Sequence, residues 1–112
     1  MREAIVTKQS YDIINRMNSY SVYLMTNKYN NVIYAGTTSN LIKRVFEHKN
    51  KLADSFTKKY NVDKLVYYEQ FIDPIEVITR EKQIKAGSRK KKLDLIFNNN
   101  PKFKDLYEEV VD

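Results

Sequence analysis

Cysteine and tryptophan are absent from this chain of 112 residues, which contains only two glycines, two prolines and one histidine. Without cysteine there is neither a disulfide framework nor a thiolate metal site. The sequence has no run of eighteen apolar residues that could span a membrane, and its N-terminus lacks the regions of a signal peptide. An apolar fraction of 42% is enough for a modest core, so we expect a single cytoplasmic domain.

The formal net charge of +6 indicates a polyanionic partner, most simply a nucleic acid. One basic stretch runs through residues 43–59, and a second, residues 82–92, has six cations and no acid. The last nine residues are acidic instead. Each basic stretch could equally be a solvated helix surface. The cations that we expect at a nucleic acid are Lys49, Lys82, Lys85, Arg89, Lys90 and Lys91.

Three segments have the composition of strands. Residues 20–25 alternate between two faces, with Tyr20, Val22 and Leu24 on one of them. The asparagine-rich residues 26–31 predict a hairpin loop. Residues 32–35 predict a second strand that ends at Gly36, where glycine permits a backbone turn. Residues 64–71 predict a third strand, because they are rich in Val, Tyr and Leu.

The first predicted helix begins after Thr38 or Ser39, either of which can cap it. We expect Arg44 and His48 to flank its buried stripe, because residues four apart share one face of a helix. The residues expected in that stripe are Leu41, Ile42, Val45 and Phe46. Residues 50–63 follow as a basic loop or a short helix.

Two further helices have clear boundaries. Asp73 and Pro74 suit the start of one helix, which Gly87 should end near residue 86. Ser88 can cap the other, whose apolar positions are Leu93, Ile96 and Phe97, and residues 98–101 should stop it.

The predicted fold is therefore an α+β domain over residues 17–112, with a three-stranded antiparallel sheet flanked by helices in the order β-β-α-β-α-α. Residues 1–16 are either a docked N-terminal arm or a disordered leader.

Glu81 is an acidic residue where the helical pattern calls for an apolar one. Val77, Ile78 and Ile84 define the buried side of the helix, so Glu81 should point inward or along its margin. A buried carboxylate costs several kcal/mol in order of magnitude unless a cation compensates it. The compensation is either an ion pair with Arg44 or Arg80, or a hard divalent cation such as Mg²⁺.

Tyr23, Tyr34, Arg44 and His48 are chemically capable residues that the predicted hairpin and first helix could bring together. The planar guanidinium of Arg44 matches a pair of phosphate oxygens. A tyrosine acts as a general base only if neighbouring cations lower its pKa from about 10. Together with Glu81, these groups could cleave a phosphodiester.

The spacing of these residues resembles that of a GIY-YIG nuclease. The two motif triplets correspond to Ser21-Val22-Tyr23 and Tyr34-Ala35-Gly36, and the intervals to Arg44, His48 and Glu81 also fit. The chain is most similar to small stand-alone bacterial members, which are related to the nuclease domain of the bacterial excision-repair endonuclease. Shared stretches include Glu47-His48-Lys49 and Asn100-Pro101.

The resemblance implies metal-dependent hydrolysis of DNA, with a structure-selective role in repair or recombination. Either Tyr34 or His48 would be the base, while Tyr23 would orient water or phosphate. Arg44 would stabilise phosphoryl charge, and Glu81 would hold Mg²⁺ or Mn²⁺. Asn100 would lie near the site in a positional role.

The chain departs from the family pattern at three positions: Ser21 replaces a glycine, Ala35 replaces an isoleucine, and Thr37 stands where some relatives carry a phosphate-binding lysine. A rival interpretation is a nucleic-acid-binding module with little or no cleavage activity. A third, a protein-interaction adaptor, needs an exposed apolar patch, which the sequence does not indicate. A protein partner and the oligomeric state stay open.

Overall fold

The computed structural model describes residues 19–53 and 55–111, so the interpretation of residues 1–16 as an arm or leader lies outside it. A three-stranded antiparallel sheet with the strand order β2-β1-β3 forms the centre of the domain. This confirms the predicted fold class. The elements in chain order are β1 (Tyr20–Thr26), β2 (Ile33–Thr38), α1 (Leu41–Lys49), α2 (Ser55–Lys59), β3 (Lys64–Phe71), α3 (Pro74–Ala86), α4 (Arg89–Asn99) and α5 (Tyr107–Val111).

Both faces of the sheet are buried, because successive side chains of β1 point to opposite sides. Val22 and Leu24 belong to one core cluster, which also contains residues of α3 and α4. Tyr23 and Met25 belong to a second cluster, which contains residues of α1 and β3. The sheet therefore lies between two helical layers. In the described ranges, 19–53 and 55–111, no helix is both long and apolar enough to cross a membrane.

Helix α1 differs from its prediction in both its cap and its buried side. Asn40 caps it, and the side chain of Asn40 accepts a hydrogen bond from the backbone N–H of Lys43. The buried residues are Leu41, Val45 and His48, whereas Phe46 is 50% exposed. The expectation of a buried Phe46 and of His48 at the edge of the stripe was therefore wrong.

Helices α3 and α4 begin and end where their capping residues predict. The Asp73 side chain accepts a hydrogen bond from the Ile75 N–H at 2.8 Å, and that of Ser88 accepts one from the Lys91 N–H at 3.1 Å. Ile78 and Phe97 were expected in the core, but both are exposed. Ile72 and Ile75 are exposed as well, so the start of α3 carries apolar surface that the sequence did not indicate.

The C-terminal segment covers the outer edge of β3. Leu65 accepts a hydrogen bond from the Leu106 N–H at 2.7 Å, and its own N–H donates to an Asp105 carboxylate oxygen at 3.2 Å. A register shift between Leu24 and Met25 disturbs the β1–β3 ladder at this point. These contacts satisfy backbone groups of an edge strand that would otherwise be exposed. Helix α5 is an addition to the predicted order of elements, whereas the short α2 is the helical alternative given for residues 50–63.

Gly36 lies inside β2 directly opposite Tyr23, and its φ is not positive. It therefore does not serve as the backbone turn that was expected there. Its contribution is the lack of a side chain, because a Cβ atom built on Gly36 would lie 2.7 Å from the Tyr23 hydroxyl oxygen and 2.8 Å from its ring carbon Cζ. The Tyr23 ring thus packs directly on the backbone of β2.

We expect Gly36→Ala to lower the free energy of unfolding by about 1–3 kcal/mol, because the added methyl overpacks a buried ring. Urea denaturation measures this change. Gly87→Ala is the control, since the nearest atom to a Cβ there is the Ile84 carbonyl oxygen at 3.3 Å. Equal urea midpoints for the two variants would contradict the packing of Tyr23 on Gly36.

Candidate active site

Tyr23 and Tyr34 lie side by side on the same face of the hairpin. The pairing places Tyr23 opposite Gly36 and Met25 opposite Tyr34, so the two tyrosines are diagonal neighbours on adjacent strands. Their ring centroids are 6.3 Å apart. Tyr23 is buried and Tyr34 is half-buried. The two motif triplets therefore bring their phenols together, as the sequence predicts.

His48 lies in the core beside both tyrosines. Its Nε2 is 2.9 Å from the Tyr23 hydroxyl oxygen, and its ring centroid is 5.3 Å from that of Tyr34 in an edge-on arrangement. Its Nδ1 is 3.0 Å from the hydroxyl oxygen of Thr57, which is also buried. Sequence reasoning missed Thr57, because a threonine in a short polar helix carries no signal of a contact with a residue nine positions earlier.

The hydrogen bonds that join Tyr23, His48 and Thr57 are donated in one direction, from Tyr23 to His48 and from His48 to Thr57. Burial raises the pKa of Tyr23 well above its ordinary value, and the neighbouring Tyr34 raises it further. The phenol therefore keeps its proton at neutral pH and can donate to an imidazole nitrogen. Because a neutral imidazole has one donor and one acceptor, we assign Nε2 as the acceptor from Tyr23 and Nδ1–H as the donor to Thr57.

Arg44, on α1, interacts with the Tyr23 phenol. Its guanidinium charge lowers the pKa of Tyr23 and so opposes the larger effect of burial. The side chain is partly exposed and pairs with Glu47 at 3.3 Å, one turn along the helix. An exposed pair of this kind contributes about 0.3–0.5 kcal/mol. A phosphate can therefore replace Glu47 at little cost.

Glu81 lies at the margin of α3, with its side chain 21% exposed. Its carboxylate is 2.9 Å from the Lys85 ammonium and raises the pKa of Tyr23, as the weakest of the contributing groups. Among the described residues, neither ion pair considered for Glu81 is present: Arg44 pairs with Glu47 at 3.3 Å, and Arg80 binds Glu69 at 2.9 Å. The carboxylate thus acts on the Tyr23 phenol and has an exposed lysine as its partner.

A divalent cation at Glu81 would have this one carboxylate as its protein ligand. In the described residues, no group of three or more His, Cys, Asp or Glu side chains could hold a metal ion. A single carboxylate completed by water and substrate phosphate is nevertheless an ordinary way to bind Mg²⁺. The i,i+4 pair with Lys85 contributes about 0.3–0.5 kcal/mol and does not prevent this.

Asn100 serves the fold of the C-terminal segment. Its side-chain amide donates to the carbonyl oxygens of Val66 at 3.0 Å and Lys104 at 2.9 Å, and accepts from the Lys104 N–H at 3.1 Å. Both amide hydrogens are therefore used by the backbone. This arrangement leaves no amide hydrogen for a substrate, and the positional role at the site stays a prediction.

The six cations expected at a nucleic acid differ in their surroundings. Lys49 pairs with Asp105, donates to the Asp63 carbonyl oxygen at 3.0 Å and lies 5.2 Å from the Tyr107 ring centroid. A contact of Lys49 with nucleic acid would require these bonds to open. The other five lie on α3 and α4 and are exposed, namely Lys82, Lys85, Arg89, Lys90 and Lys91.

The fold and this cluster of tyrosine, histidine, arginine and glutamate define a nuclease-type domain. Residues 19–94 match the family model described as the GIY-YIG catalytic domain, and the chain belongs to the GIY-YIG family.

The similar proteins include small ones of comparable length. A UPF0213 protein of Staphylococcus saprophyticus is 35% identical over 80 residues, which cover 71% of this chain and 96% of that protein. A UPF0213 protein of Clostridium perfringens is 36% identical over 78 residues, covering 70% and 84% of the two chains. The predicted resemblance to small stand-alone family members is therefore confirmed.

A solved structure has the same fold. The solution NMR structure of a UPF0213 protein from Bacillus halodurans has a TM-score of 0.51 with this chain, at 23% identity, and covers 78% of this chain and 92% of that one. This likeness supports the sheet and the flanking helices.

We expect Thr57→Val to disturb His48, because it removes the hydroxyl that accepts from the Nδ1–H, and the loss of one hydrogen bond costs about 0.5–1.5 kcal/mol. His48 is the only histidine, so ring ¹⁵N–¹H NMR spectra report its tautomer without ambiguity. The Nδ1–H form should dominate in the native protein and lose population in the variant.

Thr57→Ser keeps the hydroxyl and is the matched control, which should retain the native imidazole spectrum. A native spectrum dominated by the Nε2–H form would contradict the assigned direction of the Tyr23–His48–Thr57 contacts.

Proposed function

We propose that this protein is an endonuclease that hydrolyses DNA phosphodiester bonds with the aid of Mg²⁺ or Mn²⁺. The observation that carries the proposal is the grouping around one buried phenol, Tyr23, of a second phenol, an imidazole, a guanidinium and a carboxylate. Binding to nucleic acid alone requires none of the last three groups in this place.

Tyr34 is the proposed general base. It is half-buried, and its ring meets His48 edge-on. His48 is itself buried, with Tyr23 at one ring nitrogen and Thr57 at the other. Because a general base must reach the proton that it removes, the more accessible phenol is better placed to activate water. His48 then acts by holding Tyr23 in position.

Arg44 and Glu81 are the charged residues proposed to act on the phosphate. Arg44 can bind the phosphoryl oxygens in pairs and stabilise the charge that builds on them. Glu81 would hold the divalent cation, which supplies a Lewis acid for the phosphate and the leaving oxygen. Tyr23 keeps its proton because burial raises its pKa, so it can orient the phosphate or water as a donor.

Membership of the GIY-YIG family and the net charge of +6 support DNA as the proposed substrate. The exposed cations of α3 and α4 provide surface for a phosphate backbone, and their contribution would fall as salt rises. A role in repair or recombination and selection by DNA structure are part of the same proposal.

A plasmid-nicking assay with Mg²⁺ tests the proposal. We expect the native protein to convert supercoiled plasmid to the nicked form, and Tyr34→Phe, Arg44→Ala and Glu81→Gln each to slow this by about 10²-fold or more, as for the loss of one transition-state contact. Removal of divalent ions with EDTA should abolish nicking.

Two conservative variants outside the site are the controls. Tyr29→Phe alters an exposed tyrosine of the hairpin loop, and Glu76→Gln alters an exposed glutamate of α3. Both should nick at the native rate. Salt-sensitive DNA binding without nicking of any DNA structure would overturn the proposal in favour of a binding module.

A further inference from the structure

We propose that Phe56 and Tyr60 form a stacking site for one unpaired DNA base beside the active site. The proposal rests on the proposed function for the placement of the scissile phosphate. It is argued from a row of three aromatic rings, from the exposure of the two outer rings, and from the charge of the short helix α2 beside them.

The row of rings leads outward from the active site. Phe56 is stacked on Tyr34, with ring centroids 6.3 Å apart and an angle of 29° between the rings. Tyr60 follows, with its ring centroid 4.8 Å from that of Phe56. The proposed base, Tyr34, is therefore the inner end of a continuous aromatic surface that reaches the solvent.

The two outer rings keep much of their surface in contact with solvent. Phe56 is 43% exposed and Tyr60 is 42% exposed, although both are large aromatic residues that bury well in a core. Thr57 is the buried residue of α2, and it anchors the helix through its contact with His48. The helix is thus held by Thr57 and presents Phe56 on the surface, and Tyr60 follows directly after its last residue.

The charge around these rings suits a nucleic acid. Helix α2 carries Lys58 and Lys59 and no acidic residue. The Lys59 ammonium lies 5.3 Å from the Tyr60 ring centroid. A base stacked on these rings would bring its flanking phosphates toward cations. Aromatic surfaces set in basic grooves are how proteins bind single-stranded nucleic acids without reading their sequence.

The geometry also indicates which DNA can use this site. A base inside a duplex has both faces covered by its neighbours, so stacking on protein requires an unpaired or unstacked nucleotide. With Phe56 stacked on Tyr34, such a nucleotide would lie next to the phosphate that Tyr34 addresses. The substrate class that follows is DNA with an unpaired nucleotide adjacent to the cleaved bond.

Binding without cleavage tests this site independently of catalysis. Fluorescence anisotropy in EDTA would compare a labelled single-stranded oligonucleotide of thymines with a blunt duplex. We expect Phe56→Leu combined with Tyr60→Leu to weaken single-strand binding about tenfold, with duplex binding changed less than twofold. Phe97→Leu alters an exposed phenylalanine on α4 and is the matched control, which should bind as the native protein does.

A stacking-sensitive probe provides a second readout. An oligonucleotide with one 2-aminopurine should lose fluorescence on binding the native protein and Tyr60→Phe, which keeps the ring. It should lose less on binding Tyr60→Leu, a single exposed substitution that also decides the matter if the double variant does not fold. Neither readout needs cleavage. A protein that does not nick plasmid can therefore still show the stacking site, so the two proposals can fail separately.

Unchanged single-strand affinity of a folded double variant, or of Tyr60→Leu if that variant is the one that folds, would overturn the proposal. Tighter binding of a single-stranded RNA of matching sequence would overturn the assignment to DNA.

Discussion

The contact between the Tyr23 ring and the backbone of Gly36 is the constraint on which the site depends. Because Gly36 has no side chain, the Tyr23 ring can lie directly against the backbone of β2. A Cβ at Gly36 would lie 2.7 Å from the Tyr23 hydroxyl oxygen. The hydroxyl is in turn 2.9 Å from His48 Nε2. One glycine thus sets the position of the phenol, and through the phenol that of the imidazole. The buried His48 imidazole is held rigidly, because both of its ring nitrogens have hydrogen-bond partners.

This arrangement places a phenol and an imidazole in the core, where burial changes the pKa of the phenol. Tyr23 keeps its proton because burial raises its pKa. Tyr34 lies at the rim of the core cluster that contains Tyr23 and faces a row of aromatic rings that ends at Tyr60. Positioning groups are therefore inside, and groups suited to meet substrate are outside. Under the proposed function, the buried groups fix the geometry of the site and the groups at the rim meet the substrate.

The charged residues divide between stabilising the fold and meeting a partner. Arg80 binds Glu69 through several hydrogen bonds of 2.9–3.1 Å, and burial together with the Glu69 contact raises the pKa of Tyr67 to about 12. Lys49 holds the C-terminal segment through Asp105. By contrast, Arg44 and Glu81 have single-turn helical partners that cost little to replace. Both of these weakly paired residues act on the pKa of Tyr23.

The sequence by itself determined the strands, the caps of α3 and α4, and the spacing that brings Tyr23 and Tyr34 together, because capping and alternation are local. Only the tertiary structure decided which side of α1 is buried. Hydrophobicity favours Phe46 in the core, yet Phe46 is exposed and His48 is buried. The reason is non-local: Tyr23 lies 25 residues before His48 and Thr57 lies nine after it. Both hydroxyls satisfy the imidazole, and no pattern within the helix contains them.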